Sequence, residues 1–546
     1  MTAMTRPCLA AVSLLLGAAP ALALAQIPDP VRSAAATITA EQLGRDARVL
    51  AADAQRGRAT ATPGFDSAAA YITRRLERLG LRPLGDSGTY RQHYSVKDAA
   101  LDTTGTTLSL GGRTLRYGED FLVRLFTDSG TVTAPLVYVG HGIRALAKGI
   151  DPYAGVNARG AIVIVHGPTA LPKGETFQSL GRVRTDWQTA PDAARSQGAI
   201  GVIYVMPTEA RARWDRVRAS GAGLRARELD PPVPSAYQRP TLLALEIQAG
   251  ALDSLMAGER VSASELLAAG SRQEYLPSFA LGSGKRARVR IAYSSFTVLR
   301  PYNLVARLEG ADPGREAVVL LSHLDGAVGT GGVAGDSIYN AADDNASGSA
   351  GVLGIAEALT RTARPKRSVI FLWDSGEEVG LWGSRHFVTN PPVPLADMIT
   401  LINVDMIGRT REPGNTREDD AELTGPGEVY VTGPGVLSTA LDSLVNRANG
   451  AYLNLNLNRR YDVATSQFFY PRTDAGPFLE RGVLTLGYLT GLHADYHGVG
   501  DGPDQLDPLK MEQVARTVFV TTWLLADAAA RPAIDKAIPL TVPRHP

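Results

Sequence analysis

The chain has 546 residues, of which 44% are hydrophobic and 20% charged, enough to build the cores of two or three domains. This composition excludes a mainly disordered chain. The net charge of +1 provides no overall field that would attract nucleic acid or an anionic membrane. We therefore expect no nucleic-acid partner, and function has to come from local sites.

Residues 1–25 have the pattern of a signal peptide. Arg6 gives a positive start, an apolar run spans Leu9 to Leu16, and a small-residue cleavage site ends at Ala25. A membrane anchor is the alternative, but this run is shorter than the ~20 residues that a span requires. We therefore expect an exported protein, periplasmic or extracellular, without stable membrane insertion. Since Cys8 is the only cysteine, the mature chain would form no disulfide and would hold any zinc with His and carboxylates.

Residues 26–124 form the first block of the main domain. Ala69, Ile72 and Leu76 lie at helical spacing, and the pattern ends near Gly80. Short strands are predicted after this helix, at residues 90–96 and 107–115.

Residues 125–285 consist of short β-branched runs that Gly and Pro interrupt, which predicts a β-rich insert. Two stretches, residues 151–165 and 193–205, resemble the protease-associated domain. The resemblance implies a lid or side wall inserted into or beside a peptidase domain. Six arginines within residues 211–227 suggest either an anion contact or a solvated surface, and the solvated surface is the simpler interpretation.

Residues 286–530 alternate apolar strands with helical patterns, and residues 531–546 form a tail. The predicted strands lie at 317–321, 369–373, 399–404 and 483–489. Continuous apolar strands separated by helices indicate an α/β fold whose sheet is covered on both faces. In such sheets, ligands bind at the carboxyl ends of the strands.

Two potential metal-binding segments come first in this block. His323 emerges where a strand stops, with Asp325 two positions later as a potential holder of its ring, although an isolated His is more often structural. The loop 340–348, Asn-Ala-Ala-Asp-Asp-Asn-Ala-Ser-Gly, leads directly into a helix. Its Asp and Ser side chains could cap that helix. Three consecutive Asp and Asn residues exceed what a cap requires, and a loop of small residues at a helix start provides the constrained backbone that a carboxylate bridging two cations would need.

Three further strand ends carry ionisable groups. Glu377 and Glu378 follow the strand 369–373, and adjacent carboxylates repel unless a cation or a shared proton relieves them. Asp405 follows the strand 399–404. After the strand 483–489 come two imidazoles, His493 and His497, and chemistry alone does not choose between them.

Taken in order, these segments resemble the co-catalytic zinc peptidase family that includes aminopeptidase Y, glutamate carboxypeptidase and the transferrin receptor. The family implies a mixed central sheet with helices on both faces. It also implies two Zn²⁺ ions with five ligands, namely His323, Asp344, Glu378, Asp405 and His497. One ion would bind His323, Asp344 and Asp405, and the other Asp344, Glu378 and His497.

The same resemblance assigns the catalytic roles. Glu377 would act as general base and then general acid, and Tyr496 would help to hold the oxyanion. A cis peptide bond after Asp344 is typical of the family. Two positions depart from its pattern: Ala341 replaces a Gly, and Ala475 replaces a His that lines the specificity pocket, which puts that role in doubt.

Aminopeptidase activity on peptide substrates is the function that the resemblance favours. A carboxypeptidase or dipeptidase would use the same metals but needs an arginine cluster, to which Arg472 is a single contribution. Glutaminyl cyclase relatives keep fewer metals, and receptor-like relatives lose ligands or the base, whereas all six groups are present here. The sequence leaves open the side-chain preference, the oligomeric state, the physiological metal and the role of the insert.

Overall fold

The computed structural model describes residues 27–538, except for residues 125–129, 168–169, 182–185, 207–213, 215–224, 234–241, 313, 327–334, 465 and 467–471. The predicted signal peptide, most of the arginine-rich stretch and the end of the predicted tail lie outside these residues. Within the described part of the chain, no helix has both the length and the apolar character that crossing a bilayer requires.

The α-helices lie in two groups, on either side of a β-rich middle section that contains only short helices. Their bounds are Asp29–Ala35, Ala40–Leu50, Pro63–Arg78, Phe177–Leu180, Ala190–Ser196, Leu252–Met256, Ala263–Ser271, Gly348–Thr360, Trp382–Thr389, Pro434–Leu437, Thr439–Gly450, Ala475–Glu480 and Pro508–Asp527. The predicted helix that ends near Gly80 is the third of these.

The strands are numbered in chain order. They are β1 (Arg82–Pro83), β2 (Arg91–His93), β3 (Val96–Ala100), β4 (Thr107–Leu110), β5 (Arg113–Leu115), β6 (Phe121–Val123), β7 (Gly130–Tyr138), β8 (Ile162–His166), β9 (Gly201–Met206), β10 (Arg225–Leu229), β11 (Leu243–Gln248), β12 (Phe279–Ala280), β13 (Arg286–Ile291), β14 (Thr297–Leu299), β15 (Tyr302–Leu308), β16 (Ala317–His323), β17 (Ser368–Asp374), β18 (Met398–Val404), β19 (Glu428–Thr432), β20 (Asn456–Asn458) and β21 (Thr485–Leu489).

A mixed sheet forms the centre of the main domain. Its order is β1-β15-β17-β16-β18-β21-β19-β20, and β2 also pairs with β15. The four strands β17, β16, β18 and β21 run parallel, whereas β15 and β19 are antiparallel to their neighbours. The predicted α/β fold with a mixed central sheet is therefore confirmed.

Each face of this sheet packs against helices because successive strand residues point to opposite sides. In β16, Val318 and Leu320 join the core that contains the helices 40–50, 348–360 and 508–527. Val319 and Leu321 join a second core on the other face, with Phe387 and Phe478. The N-terminal and C-terminal helices are also linked directly, since the Ala40 N–H donates to Glu512 Oε2 at 2.6 Å.

A second sheet forms the insert, in the order β5-β4-β13-β7-β8-β9-β11-β6, with β12 on β7. Its strands run from Thr107 to Ile291, so the predicted boundaries at residues 125 and 285 are both wrong for this sheet. The early strands belong to it because Leu108 and Phe121 pack into the same core as Val289. Whether this unit is a protease-associated domain stays a prediction.

A three-stranded ribbon has the order β10-β3-β14; in the chain, β3 and β14 lie between strands of the two sheets, whereas β10 lies within the insert. Two arginines of the basic stretch, Arg225 and Arg227, belong to it and both pair with the buried carboxylate of Asp98. These two residues therefore stabilise the ribbon. This structural role differs from both interpretations of the arginine-rich stretch, an anion contact and a solvated surface.

The insert contains a buried imidazole, His166, and a half-buried one, His141, that make its stability sensitive to acid. Burial lowers the pKa of His166 to about 4 and that of His141 likewise to about 4, with the charge of His166 as a further cause for His141. The unfolded chain titrates near ~6.5 and so binds more protons below that pH. Stability is therefore fully present above pH ~6.5 and is lost as the pH falls towards 4.

We expect His166→Gln to reduce the acid-induced loss in free energy of unfolding by up to about 3 kcal/mol, the amount that corresponds to the pKa shift of one histidine. The measurement is denaturant unfolding of metal-free protein at pH 7 and pH 4.5, for the wild type and the variant. An equal loss of stability in both proteins would show that His166 is not a source of the effect.

Candidate metal centre

The predicted ligands meet at one edge of the central sheet. His323 is the last residue of β16, Asp405 follows β18 directly, and Glu378 lies four residues after β17. His497 lies in the loop after β21. Since these four strands are parallel, their carboxyl ends share one edge, which is where α/β sheets bind ligands.

Two groups of potential ligand atoms share the carboxylate of Asp344. His323 Nε2 lies 3.2 Å from Asp344 Oδ1 and 3.3 Å from Asp405 Oδ1. His497 Nε2 lies 3.1 Å from Asp344 Oδ2 and 3.1 Å from Glu378 Oε2. In each group the three ligand atoms lie within 4.8 Å of one another. The two oxygens of Asp344 thus face different groups, as a bridging carboxylate requires.

The ring of His323 is held in the orientation that ligation needs. Its Nδ1–H donates to the backbone carbonyl of Asp325 at 3.0 Å, which leaves the Nε2 lone pair directed at the carboxylates. The carboxylate of Asp325 lies farther away, 3.9 Å from Nδ1. Asp325 is therefore the ring holder that the sequence suggested, acting through its carbonyl.

Asn345 fixes the loop that carries Asp344. Its side-chain N–H groups donate to Ser322 Oγ and to the carbonyl of Val404, and its Oδ1 accepts from the N–H groups of Gly348 and Met406. This one amide ties the loop to β16, β18 and the following helix. The peptide bond between Asp344 and Asn345 is cis, as the family resemblance implies.

The capping interpretation of this loop is wrong for Asp343, Asp344 and Ser347. Ser347 is the N-cap residue, but it makes no side-chain cap hydrogen bond. Asn345 accepts the Gly348 N–H instead. Ala341 has φ +51°, a left-handed conformation that favours glycine, so the departure from the family's Gly places an alanine in strained backbone.

Burial and mutual charge shift the pKa values of the cluster. Burial raises the pKa of Glu378 to about 7, with the negative charge of Asp344 as the next cause. For His497, burial favours the neutral ring, but hydrogen bonds to Asp344 and Glu378 outweigh it and raise the pKa to about 10. Burial would also raise the pKa of Asp344, yet His323 and His497 together lower it. The carboxylates thus depend on positive charge for their ionised state.

The donor set fits Zn²⁺. Each group offers one imidazole nitrogen and two carboxylate oxygens, a combination that zinc accepts in sites that keep a position open. Glu378 Oε1 is buried and has no hydrogen-bond partner among the described residues, which leaves it available to a cation. Divalent ions would supply the positive charge that the carboxylates need.

The two predicted catalytic side chains lie beside these groups. A carboxylate oxygen of Glu377 is within 4.8 Å of ligand atoms of His323 and Glu378. The ring of Tyr496 stacks on that of His497 at 3.8 Å between centroids, and its hydroxyl accepts from Arg472 at 3.0 Å. Both catalytic candidates line a cleft with about 570 Å³ of open space.

Two neighbouring groups resolve questions that the sequence left open. His493 Nε2 lies 3.4 Å from Asp343 Oδ2 and joins neither ligand group, so the imidazole at the centre is that of His497. Asp501 accepts the backbone N–H groups of Asp343 and Asp344, a supporting role that sequence reasoning missed. Asp501 follows His497 by only four residues, and that proximity was the available signal.

Comparison with known proteins agrees with this geometry. Residues 303–522 match the model of peptidase family M28. Leupeptin-inactivating enzyme 1 of Streptomyces exfoliatus is 34% identical over 137 residues, which cover 25% of this chain and 29% of that protein. An aminopeptidase of Pseudomonas aeruginosa is 30% identical over 250 residues, 41% of each chain. The chain thus spans less than half the length of these relatives.

The fold as a whole is similar to a solved structure. An aminopeptidase from Aneurinibacillus sp. strain AM-1 matches 93% of this chain and 98% of its own with a TM-score of 0.52, at 17% identity. The likeness therefore includes the insert as well as the main domain. The family model, the ordered strand ends and the fold agree, and residues 303–522 are similar to peptidase family M28.

Proposed function

We propose that this protein is an exported aminopeptidase that uses two zinc ions to remove N-terminal residues from peptides. One observation carries the proposal: two groups of one imidazole and two carboxylates share Asp344 at an open cleft, and the carboxylate of Glu377 stands next to them. The match of residues 303–522 to peptidase family M28 makes peptide hydrolysis the chemistry to expect from such a site.

In this proposal, His323, Asp344 and Asp405 would hold one ion, and Asp344, Glu378 and His497 would hold the other. The two ions would supply a water of lowered pKa and polarise the scissile carbonyl. Glu377 accepts the proton of that water and then delivers it to the leaving amine. Burial raises the pKa of Glu377, the positive charge of His323 opposes this shift, and the negative charge of Glu378 adds to it.

Tyr496 completes the reaction site. Its oxygen accepts a hydrogen bond from Arg472, so its own proton is free to be donated to the oxyanion that forms on the substrate. Burial raises the pKa of Tyr496, with Asp344 as the next cause, which keeps the hydroxyl protonated and able to donate.

The charge of the cleft supports cleavage from the amino end. Its lining contains the carboxylates of Glu377, Asp344 and Asp405, which attract a free ammonium group. Arg472 is the one Arg or Lys among the described residues that line it. A carboxypeptidase needs several cations for the terminal carboxylate, so this alternative is weaker. The Pseudomonas aeruginosa relative carries the name aminopeptidase, which supports the same choice.

The experiment is a hydrolysis panel. The substrates are amino-acid arylamides, amino-blocked peptides and peptides with a free carboxyl end. Hydrolysis of each is measured without chelator, with chelator, and again after zinc has been restored. We expect cleavage of the substrates with a free amino end, loss with chelator and recovery with zinc. Cleavage of amino-blocked peptides at the carboxyl end alone would replace this proposal with the carboxypeptidase, and no cleavage by zinc-loaded protein would favour a receptor-like binding protein.

Export is proposed on the N-terminal pattern of residues 1–25. Amino-terminal sequencing of the protein recovered outside the cytoplasm tests it, and we expect the mature chain to begin close to residue 26. An intact N-terminus on intracellular protein would contradict it.

A further inference from the structure

Arg58 is a fully buried arginine behind the proposed metal centre. Its side chain is 0% exposed, yet it belongs to the N-terminal block, outside the residues that match the family model. Its guanidinium donates four hydrogen bonds, all to backbone carbonyls: those of Leu50, Leu324, Asn340 and Ala341, at 2.8 to 3.0 Å. A buried charge is costly unless such bonds satisfy it.

Three of the four acceptors, the carbonyls of Leu324, Asn340 and Ala341, belong to the two loops that carry metal ligands, and Leu50 ends the helix 40–50. Leu324 directly follows His323, and Ala341 lies three residues before Asp344. The guanidinium therefore joins the loop of one ligand to the loop of the bridging ligand. Its planar fork can reach these separate carbonyls at once, which a lysine ammonium on a flexible stem cannot reproduce.

The backbone at this point is shaped to deliver the side chain. Arg58 has φ +54°, and Gly57 before it has φ +75°. A Cβ on Gly57 would lie 2.5 Å from the carbonyl oxygen of Tyr339, so only glycine fits there. An arginine with positive φ is strained, and it is maintained only where surrounding contacts hold it in place, often at functional sites.

Arg58 also brings positive charge to an acidic region. Among the described residues, no carboxylate lies within ion-pair distance of it, but Asp501, Asp325, Asp344 and Glu378 all act on it through space. Burial lowers the pKa of Arg58 to about 10, and these carboxylates oppose the shift. The guanidinium stays charged at neutral pH and offsets part of the negative charge that faces the metals.

Two residues later, Thr60 holds the turn that carries Glu377. Its Oγ accepts the N–H of Gly376 at 2.8 Å, and the same hydroxyl favours the ionised form of the Asp325 carboxyl and so lowers its pKa, against the larger effect of burial. Asp325 Oδ1 in turn accepts the N–H of Glu377 at 3.3 Å. Thr60 and Asp325 thus fix the backbone on both sides of the link between Gly376 and the proposed base.

We propose that residues 58–60 are a positioning segment of the active site, in which Arg58 sets the geometry of the metal-binding loops and Thr60 sets that of the base. The inference rests on the proposed function, since it assigns these residues to the same metal centre. Neither side chain contacts the substrate. They act through Asp344, His323 and Glu377, and so the two halves of the segment are separable by experiment.

The first experiment measures zinc affinity by competition with a chromophoric chelator. We expect Arg58→Met and Arg58→Lys to bind zinc on the order of 10- to 100-fold more weakly than the wild type, as supporting groups behind ligands do. Arg75→Met is the matched control, because Arg75 also lies in the N-terminal block and is largely buried against Asp46 and Glu357, away from the centre. It should lower the unfolding temperature and leave zinc affinity within about two-fold.

The second experiment separates turnover from binding. We expect Thr60→Val to lower kcat on the order of tenfold with zinc affinity and KM nearly unchanged. Thr39→Val is its control, since Thr39 caps the helix 40–50 through the Gln42 N–H, and its side chain touches neither the segment 58–60 nor the turn of Glu377. This control should reduce stability without changing kcat.

The outcomes are distinct. Wild-type protein that binds no zinc overturns the proposed function itself. A wild type that binds zinc, together with Arg58 variants that bind it equally well, overturns the role of Arg58. If Arg58→Met does not fold, Arg58→Lys decides, and an unchanged zinc affinity in that variant counts against the inference. An unchanged kcat in Thr60→Val removes Thr60 from the segment.

Discussion

Glu377→Gln should abolish most of the turnover, with a loss in kcat on the order of 10³-fold. Glutamine has nearly the same size and can still hydrogen-bond, but it cannot accept a proton from water or deliver one to the leaving amine. Since Glu377 belongs to neither of the two groups that share Asp344, the zinc content should remain at two ions per chain. Steady-state kinetics on an amino-acid arylamide and metal analysis of the same sample provide the measurement.

Glu378→Gln is the matched comparison, since it changes the neighbouring residue in the same way. It should lose zinc from the group with His497 as well as activity, because Glu378 Oε2 is a proposed ligand atom. Full activity in the zinc-loaded Glu377→Gln variant would remove Glu377 from the role of base, and loss of metal from it would make Glu377 a ligand.

Asp344→Ala should remove both zinc ions at once. Asp344 offers one oxygen to each group, so its loss leaves each with a single imidazole and a single carboxylate. Three protein ligands is the usual minimum for a catalytic zinc site. We expect less than a tenth of the wild-type zinc content after dialysis against metal-free buffer, and no measurable activity.

His497→Ala provides the contrast. It removes a ligand from one group only, so one ion should remain with His323, Asp344 and Asp405. Metal analysis after identical dialysis distinguishes the two variants. A stoichiometry of one ion in Asp344→Ala would contradict the bridging role, and zero in His497→Ala would mean that the two ions bind only together.

The sequence predicted the site well because its signal was local. Four of the five proposed ligands end or follow an apolar strand, and parallel strands bring such positions to one edge without any knowledge of the intervening loops. His323 is an example. The predicted strand 317–321 ends only two residues before the observed end of β16, so the position of His323 at the sheet edge follows from the apolar run alone. The structure brings the six side chains together, and their chemical roles stay predictions.

Other features could not be predicted, because they depend on partners that lie far along the chain. Arg58 bonds to Asn340, 282 positions away, and one arginine among many carries no sign of that contact. The edges of the insert were missed for a similar reason. The strands β4 to β6 have ordinary lengths and patterns, and only their pairing with β13 and β11 shows to which sheet they belong.

The direct link between Ala40 and Glu512 has a consequence for biosynthesis. The N-terminal helices leave the ribosome first, yet the helix against which they pack is made last. At ~5–20 residues per second, the apolar side of the helix 40–50 waits on the order of half a minute or more for its partner. Until then it is exposed to solvent, so we expect the nascent chain to bind chaperones through this helix, while the insert, whose last strand ends at Ile291, is complete well before the main domain.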